Sequence, residues 1–166
     1  MSVIEEACVR IAIIGDTHGR VSGIKTVLAN NPPEHIIHTG DYFADAKRIA
    51  MPLKLPFHAV TGNCDAKKGE PDELLLELAG RRIYVAHGHQ YGVKRDLNSI
   101  WYRGQEMQVD IVIFGHTHIP HCEKVGETWL LNPGSTSRPR IGKSGSYIRL
   151  AVDEQAIDPE VCKIKP

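Results

Sequence analysis

The stretch VRIAIIGDTH, residues 9–18, indicates the fold class of this chain, because an apolar, β-branched run ends abruptly in glycine and polar side chains. Its apolar part lacks polar alternation, which is typical of a strand buried on both faces. Four further short runs end similarly in TGD, TGNCD, HGH and GHTH, and they span residues 35–38, 57–61, 83–86 and 111–114. Glycine lets the chain leave a strand sharply, so polar side chains are predicted to project from the carboxyl edge of a sheet.

Three segments have the helical spacing of apolar residues. The first follows Ser22 as a predicted N-cap, the second surrounds Ile49, and the third covers residues 96–107. The first two segments lie between the first three strands. This β-α-β-α-β order favours a parallel sheet.

Short turns predict β-hairpins in the rest of the chain. The paired segments are residues 73–78 with 82–86, residues 122–125 with 128–131, and residues 147–152 with 160–164. We therefore expect an α/β (α+β) chain with one mostly parallel sheet, one mostly antiparallel sheet and few helices.

Composition limits the functions that this chain can have. Its 166 residues predict one domain spanning residues 1–166. Twenty basic and twenty acidic residues give a formal net charge of zero, which argues against nonspecific binding to nucleic acids or anionic membranes. The amino-terminal sequence resembles neither a signal peptide nor a membrane span, and the widely spaced cysteines form no CxxC pair. We expect a cytoplasmic location with reduced thiols.

The predicted strand ends carry side chains that bind divalent metals. These candidate ligands are Asp16, His18, Asp41, Asn63, His87, His116 and His118. Oxygen and imidazole donors in this mixture suit Mn, Fe, Zn or Co better than Mg or Ca. Seven ligands are too many for one ion but suit two ions that share a carboxylate, an arrangement that clamps the oxygens of a phosphoryl group.

Each motif taken alone also has a structural explanation. An Asp-x-His sequence after a strand is more often a helix cap followed by a surface histidine, and Gly-Asp is commonly a turn. The metal hypothesis depends on all five polar clusters following apolar runs in one chain.

Taken in order, these motifs resemble those of the calcineurin-like metallophosphoesterase superfamily. They are Asp16-x-His18, Gly40-Asp41, Gly62-Asn63-x-Asp65, His87-Gly88-His89 and Gly115-His116-Thr117-His118. The short chain, the GNCD form and the NPGS turn at residues 132–135 resemble the YfcE-like phosphodiesterase branch. The resemblance covers about residues 10–150. It implies a sandwich of two mixed β-sheets flanked by helices, the metallophosphoesterase fold.

The resemblance also implies a dinuclear centre. One ion would be held by Asp16, His18, Asp41 and His118, and the other by Asp41, Asn63, His87 and His116. The implied cofactors are two divalent ions, Mn first, with Fe, Zn, Ni or Co as alternatives. The implied reaction is hydrolysis of small phosphodiesters by a metal-bound hydroxide, without a stable nucleic-acid complex or a membrane partner. The resemblance leaves open whether the chain forms a homo-oligomer.

The proton donor to the leaving group is a separate question. Much of the superfamily has a histidine after the GN asparagine, whereas this chain has Cys64, and a neutral thiol is a poor acid. The alternatives are Asp65, His89 or a metal-bound water as the donor, or a preference for leaving groups that need no proton. With Asp41 and Asn63, these side chains complete the candidate catalytic set.

Two interpretations stay open. The basic segment STSRPRIGKSG, residues 135–145, contains Arg138, Arg140 and Lys143, which either contact a second phosphate or sugar of the substrate or form a solvated loop. The alternative to an enzyme is a noncatalytic scaffold resembling Vps29, which has lost some metal ligands, whereas all seven positions are filled here.

Overall fold

The computed structural model describes residues 7–66 and 68–165. Within these residues, ten strands form two five-stranded sheets that pack face to face. The same residues contain three α-helices. The strands are β1 Val9–Ile14, β2 His35–His38, β3 Phe57–Ala59, β4 Glu73–Leu78, β5 Arg81–Ala86, β6 Ile111–Ile113, β7 Pro120–Val125, β8 Thr128–Pro133, β9 Gly145–Val152 and β10 Ile157–Ile164. The helices are α1 Ser22–Asn30, α2 Phe43–Leu53 and α3 Asn98–Glu106, and a short 3-10 helix spans His89–Tyr91.

Both sheets mix parallel and antiparallel pairs. The first has the order β10-β9-β1-β2-β3, with β1, β2 and β3 parallel and β9 and β10 antiparallel to their neighbours. The second has the order β4-β5-β6-β8-β7, with a parallel centre and two antiparallel edges. The sandwich of two mixed sheets is therefore confirmed. The expectation of one mostly parallel and one mostly antiparallel sheet is wrong, because β8 and β9 each also pair with a strand distant in sequence.

Strand β1 shows why its sequence lacks alternation. Ile11 and Ile13 lie in the core between the two sheets, while Ala12 and Ile14 lie in an outer cluster with residues of α1 and α2. Helix α3 covers the outer face of the second sheet, where Ile100 belongs to a third buried cluster. Both faces of each sheet are thus covered by apolar side chains, which stabilises the sandwich.

The helices agree with the predicted segments except at one cap. Val21, not Ser22, is the N-cap residue of α1, and no side chain caps this helix end. Val21 is buried in the outer cluster, so packing decides where the chain enters the helix. Cys8, Cys64, Cys122 and Cys162 are free thiols. In the described residues, no helix combines the length and hydrophobicity needed to cross a membrane.

Candidate metal centre

The loops after the parallel strands bring the predicted ligands to one end of the sandwich. Asp16 and His18 follow β1, Asp41 follows β2, and His87 follows β5. Backbone contacts join these loops, since the Asp16 amide donates to the Gly40 carbonyl at 3.1 Å.

Four of the seven predicted ligands form a tight group. The ligand atoms of Asp16, His18, Asp41 and His118 all lie within 4.8 Å of one another. Nε2 of His118 is 3.5 Å from Oδ1 of Asp16, and Nε2 of His18 is 3.7 Å from Oδ2 of Asp41. This is the set that the resemblance assigns to the first ion.

The other predicted ligands lie next to this group. Nε2 of His87 is 3.0 Å from Oδ1 of Asn63 and 3.5 Å from Oδ1 of Asp41. The ring of His116 packs against that of His87, with 5.1 Å between centroids. Asp41 therefore faces both groups, as a bridging carboxylate would.

Two of the imidazoles are oriented by backbone carbonyls. Nδ1 of His87 lies 2.8 Å from the Thr39 carbonyl oxygen, and Nδ1 of His118 lies 2.8 Å from that of Arg138. A carbonyl only accepts hydrogen bonds, so Nδ1 carries the proton and donates it in each ring. In the neutral rings Nε2 then presents its lone pair to the centre, which is the usual arrangement of a metal-binding histidine.

Several acceptor atoms of the centre lack a donor. Oδ1 of Asp16 is buried and has no hydrogen-bond partner among the described residues. The lone pair of His87 Nε2 faces the Asn63 side-chain oxygen, another acceptor. A buried carboxylate oxygen without a hydrogen bond destabilises the fold. A divalent cation bound by these acceptor atoms would offset that cost. The residues present therefore fit bound metal ions.

The backbone is strained at the same positions. Asp16, His18, Asp41, His116 and His118 have φ angles of 48°, 47°, 53°, 69° and 57°. Such left-handed conformations cost a non-glycine residue about 1–3 kcal/mol, and they persist where surrounding structure enforces them. The loops thus give up local stability to direct these side chains toward one point.

Burial lowers the pKa of two of the four imidazoles. It lowers the pKa of His18, and together with the neighbouring His87 and Lys94 it lowers the pKa of His116 to about 4. His118 differs, because its interaction with the Asp16 carboxylate raises its pKa. Neutral rings are the form that binds metals.

A buried hydrogen-bond chain supports the first two loops. The Gly40 amide donates to Nδ1 of His38 at 3.1 Å, so Nε2 of His38 carries the proton and donates to the Thr17 hydroxyl at 3.1 Å. That hydroxyl donates to Asp45 at 2.7 Å. Burial lowers the pKa of His38 to about 4, which keeps the ring neutral. No local motif connects these residues, so the sequence does not predict this series of hydrogen bonds.

Asp65 joins the loop after β3 to the start of α2. Its Oδ1 accepts hydrogen bonds from the Tyr42 and Phe43 amides at 2.9 and 2.8 Å, and its Oδ2 accepts one from the Gly62 amide at 2.8 Å. These bonds fix the loop that carries Asp41. They describe a positioning role, and proton donation by Asp65 stays a prediction.

The other two candidate proton donors also adjoin the centre. The Cys64 amide donates to Oδ1 of Asp41 at 2.9 Å, and burial with the neighbouring Asp41 and Asp65 carboxylates raises the pKa of its thiol. The ring of His89 lies 5.3 Å from that of His87, between centroids. Their roles in proton transfer stay predictions.

The basic segment is only partly beside the centre. Arg138 and Arg140 line a cavity next to His116 and His118, together with Lys94, which sequence analysis did not single out. Lys143 is not among the described residues that line this cavity. The signal for Lys94 was weak, because a lone lysine in a Gly-containing loop has no distinctive pattern.

Comparison with known proteins agrees with this geometry. The model of the calcineurin-like phosphoesterase superfamily domain matches residues 9–155. The chain is 35% identical over 148 residues to the probable metallophosphoesterase YsnB of Bacillus subtilis, covering 88% of this chain and 86% of that one. It is 30% identical over 168 residues to the phosphodiesterase YfcE of Escherichia coli K12, covering 83% and 85% of the two chains.

Solved structures share the fold. A conserved protein from Streptococcus pneumoniae TIGR4, a predicted phosphoesterase, superposes with a TM-score of 0.80 at 28% identity, covering 96% of this chain and 94% of that one. A single mutant of Vps29 from Entamoeba histolytica gives a TM-score of 0.76 at 22% identity, covering 94% and 99%, a likeness that concerns the fold alone. On the family match and the two relatives, the chain belongs to the calcineurin-like phosphoesterase superfamily.

Proposed function

We propose that this chain hydrolyses small phosphodiesters at a centre of two divalent ions. The observation that carries the proposal is the meeting of donor side chains from separate loops around the carboxylates of Asp16 and Asp41. The likeness to a protein named phosphodiesterase YfcE supports a diester substrate.

Asp16, His18, Asp41 and His118 would hold one ion, and Asp41, Asn63, His87 and His116 the other. Their donor atoms need little rearrangement, because the carbonyls of Thr39 and Arg138 already orient two of the rings. Two divalent ions at such a centre supply charge neutralisation of the phosphoryl oxygens and activation of water.

The chain's own residues set the charge of the centre. Two divalent ions carry about four positive charges, two carboxylates remove two, and neutral imidazoles and an amide add none. The remaining positive charge of about two attracts a phosphate. This local charge matters because the chain as a whole has a formal net charge of zero.

The finer assignments belong to the same proposal. The nitrogen and oxygen donors suit Mn, Fe, Zn or Co, and the resemblance to the superfamily puts Mn first, with Fe, Zn, Ni or Co as alternatives. We further propose that residues 1–166 form one domain that acts in the cytoplasm on a small diester, without a stable nucleic-acid complex. A noncatalytic scaffold is disfavoured, since every predicted ligand position carries a donor side chain.

Hydrolysis of bis(p-nitrophenyl) phosphate by the Mn-loaded protein tests the proposal. The wild type should release p-nitrophenol and lose this activity after chelation. His118→Ala should lower the rate more than 100-fold, beyond the effect of residues that only support a metal ligand. His121→Ala is the matched control, because His121 pairs with Glu123 outside the centre. A wild-type protein that binds Mn yet hydrolyses neither this diester nor a panel of linear and cyclic diesters would support the scaffold instead.

A further inference from the structure

A basic cavity opens beside the candidate metal centre. It has a volume of about 290 Å³ and is lined by Lys94, His116, His118, Arg138, Pro139 and Arg140. Two of these lining residues are predicted metal ligands. A substrate whose scissile phosphate lies at the centre would therefore extend into this cavity.

The backbone fixes the position of the two arginines. The Arg138 carbonyl accepts the hydrogen bond from Nδ1 of His118 at 2.8 Å, and the Arg140 amide donates to the His118 carbonyl at 3.2 Å. The loop after β8 is thus held against the loop that carries His118. Lys94 reaches the same cavity from a different loop, the one that follows the 3-10 helix at His89–Tyr91.

The three cations are unpaired with acidic side chains in the part of the chain that the structure describes. Across residues 7–66 and 68–165, no carboxylate lies within ion-pair distance of Lys94, Arg138 or Arg140, whereas Arg48 and Arg149 both pair with acidic side chains. The lining of the cavity also contains no Asp or Glu among the residues described. A concentration of unpaired positive charge in a concave site attracts anions.

We propose that Lys94, Arg138 and Arg140 form an anion subsite that selects phosphodiesters carrying a second anionic group, a phosphate, phosphonate or carboxylate, beside the scissile phosphate. This inference rests on the proposed function. A simple diester carries one negative charge, which the two divalent ions neutralise. The three further cations are therefore available to bind a second anionic group of the substrate. Arginine binds such groups through two parallel hydrogen bonds.

Two diesters with the same leaving group test the subsite: p-nitrophenyl ethyl phosphate and p-nitrophenyl 2-phosphonoethyl phosphate. The Mn-loaded wild type should show kcat/KM higher by about tenfold or more for the phosphonate, since one charge-assisted hydrogen bond contributes at least that much. The preference should shrink as salt is added, because these side chains are exposed. Calorimetric binding of the products, ethyl phosphate and 2-phosphonoethyl phosphate, gives a second readout that does not depend on turnover.

The double variant Lys94→Met/Arg140→Met removes two of the three cations and should lower both the kinetic and the binding preference several-fold. The matched control Lys143→Met/Lys163→Met removes the same charge at exposed positions outside the cavity and should keep the preference. Equal hydrolysis and equal binding of the two compounds by the wild type would overturn the subsite while leaving the proposed function intact. A preference that stays at the wild-type level in the Lys94→Met/Arg140→Met variant would also overturn it. Selective product binding without hydrolysis of either diester would support the subsite and reject the phosphodiesterase.

Discussion

At the scale of single residues, Cys64 lies beside the candidate bridging carboxylate. Its amide donates to Asp41, while burial and the carboxylates of Asp41 and Asp65 raise the pKa of its thiol. A thiol with a raised pKa stays neutral and transfers its proton reluctantly. We therefore predict that the position after the asparagine of the GN motif holds no effective general acid.

This leads to a prediction about leaving groups. The wild-type rate should depend steeply on the pKa of the leaving group, because general acid catalysis, worth about 10²–10⁴-fold, is missing at Cys64. Cys64→Ser should keep the same dependence, whereas Cys64→His should flatten it by helping alkyl esters and leaving nitrophenyl esters nearly unchanged. A series of aryl and alkyl diesters measured on all three proteins checks this. Parallel dependences for the wild type and Cys64→His would mean that the proton comes from another group, with Asp65 or His89 the next candidates.

At the scale of elements, the loop after β3 and the start of α2 are held together by one carboxylate. Asp65 accepts backbone hydrogen bonds from Tyr42, Phe43 and Gly62. A negative charge at a helix amino terminus is favourable, and here it also spans two loops. The two loops are also closely packed at this contact, since a Cβ added to Gly62 would lie 2.2 Å from Oδ1 of Asp41.

Removing this carboxylate should therefore destabilise the metal-free protein. Asp65→Ala should lower the free energy of unfolding by about 2 kcal/mol, because three amides lose a charged acceptor. It should also weaken Mn²⁺ binding, since Asp41 is no longer held in place. Urea unfolding measures the first effect. Glu127→Ala, at an exposed ion pair, is the control and should change stability by less than about 1 kcal/mol. Wild-type stability in Asp65→Ala would contradict the positioning role.

The sequence patterns predicted the strands and helices better than they predicted which strands pair with each other in the sheets. The apolar run of β1 and the hairpin of β4 and β5 were predictable because their signals are local. The parallel pairing of β6 with β8 was not, because it joins segments without a short connection. The cap of α1 was also missed, since burial of Val21 outweighs the local preference for Ser22 as a cap.

At the scale of the whole molecule, the candidate ligands were predictable because each follows a buried strand in a distinctive motif. The structure brings them together at one end of the sandwich. The support beneath them could not be predicted, since His38, Thr17 and Asp45 meet only in three dimensions. The same applies to Lys94, whose position beside His116 depends on how two loops pack.

The buried His38 predicts how stability changes with pH. Its pKa falls from 6.5 to about 4 in the fold, so the unfolded chain takes up a proton at a higher pH than the native protein does. Above about pH 6.5 the His38 ring is neutral in both the folded and the unfolded chain, so it costs the fold no stability. As pH falls toward 4, the unfolded chain binds a proton that the folded chain does not, and the free energy of unfolding decreases by an amount on the order of 2–3 kcal/mol. His38→Asn should therefore cost more stability at pH 8 than at pH 5. Chemical unfolding of chelator-treated protein at both pH values measures this, and an equal cost at both would contradict it.

Metal content tests the dinuclear centre most directly. Purified protein would be dialysed against Mn²⁺, separated from free ions and measured by elemental analysis. We expect two ions per wild-type chain, about one in His18→Ala and in His87→Ala, and less than one in Asp41→Ala, because that carboxylate would bridge both ions. One ion in the wild type, or two ions retained by a folded Asp41→Ala protein, would rule out a dinuclear centre bridged by Asp41.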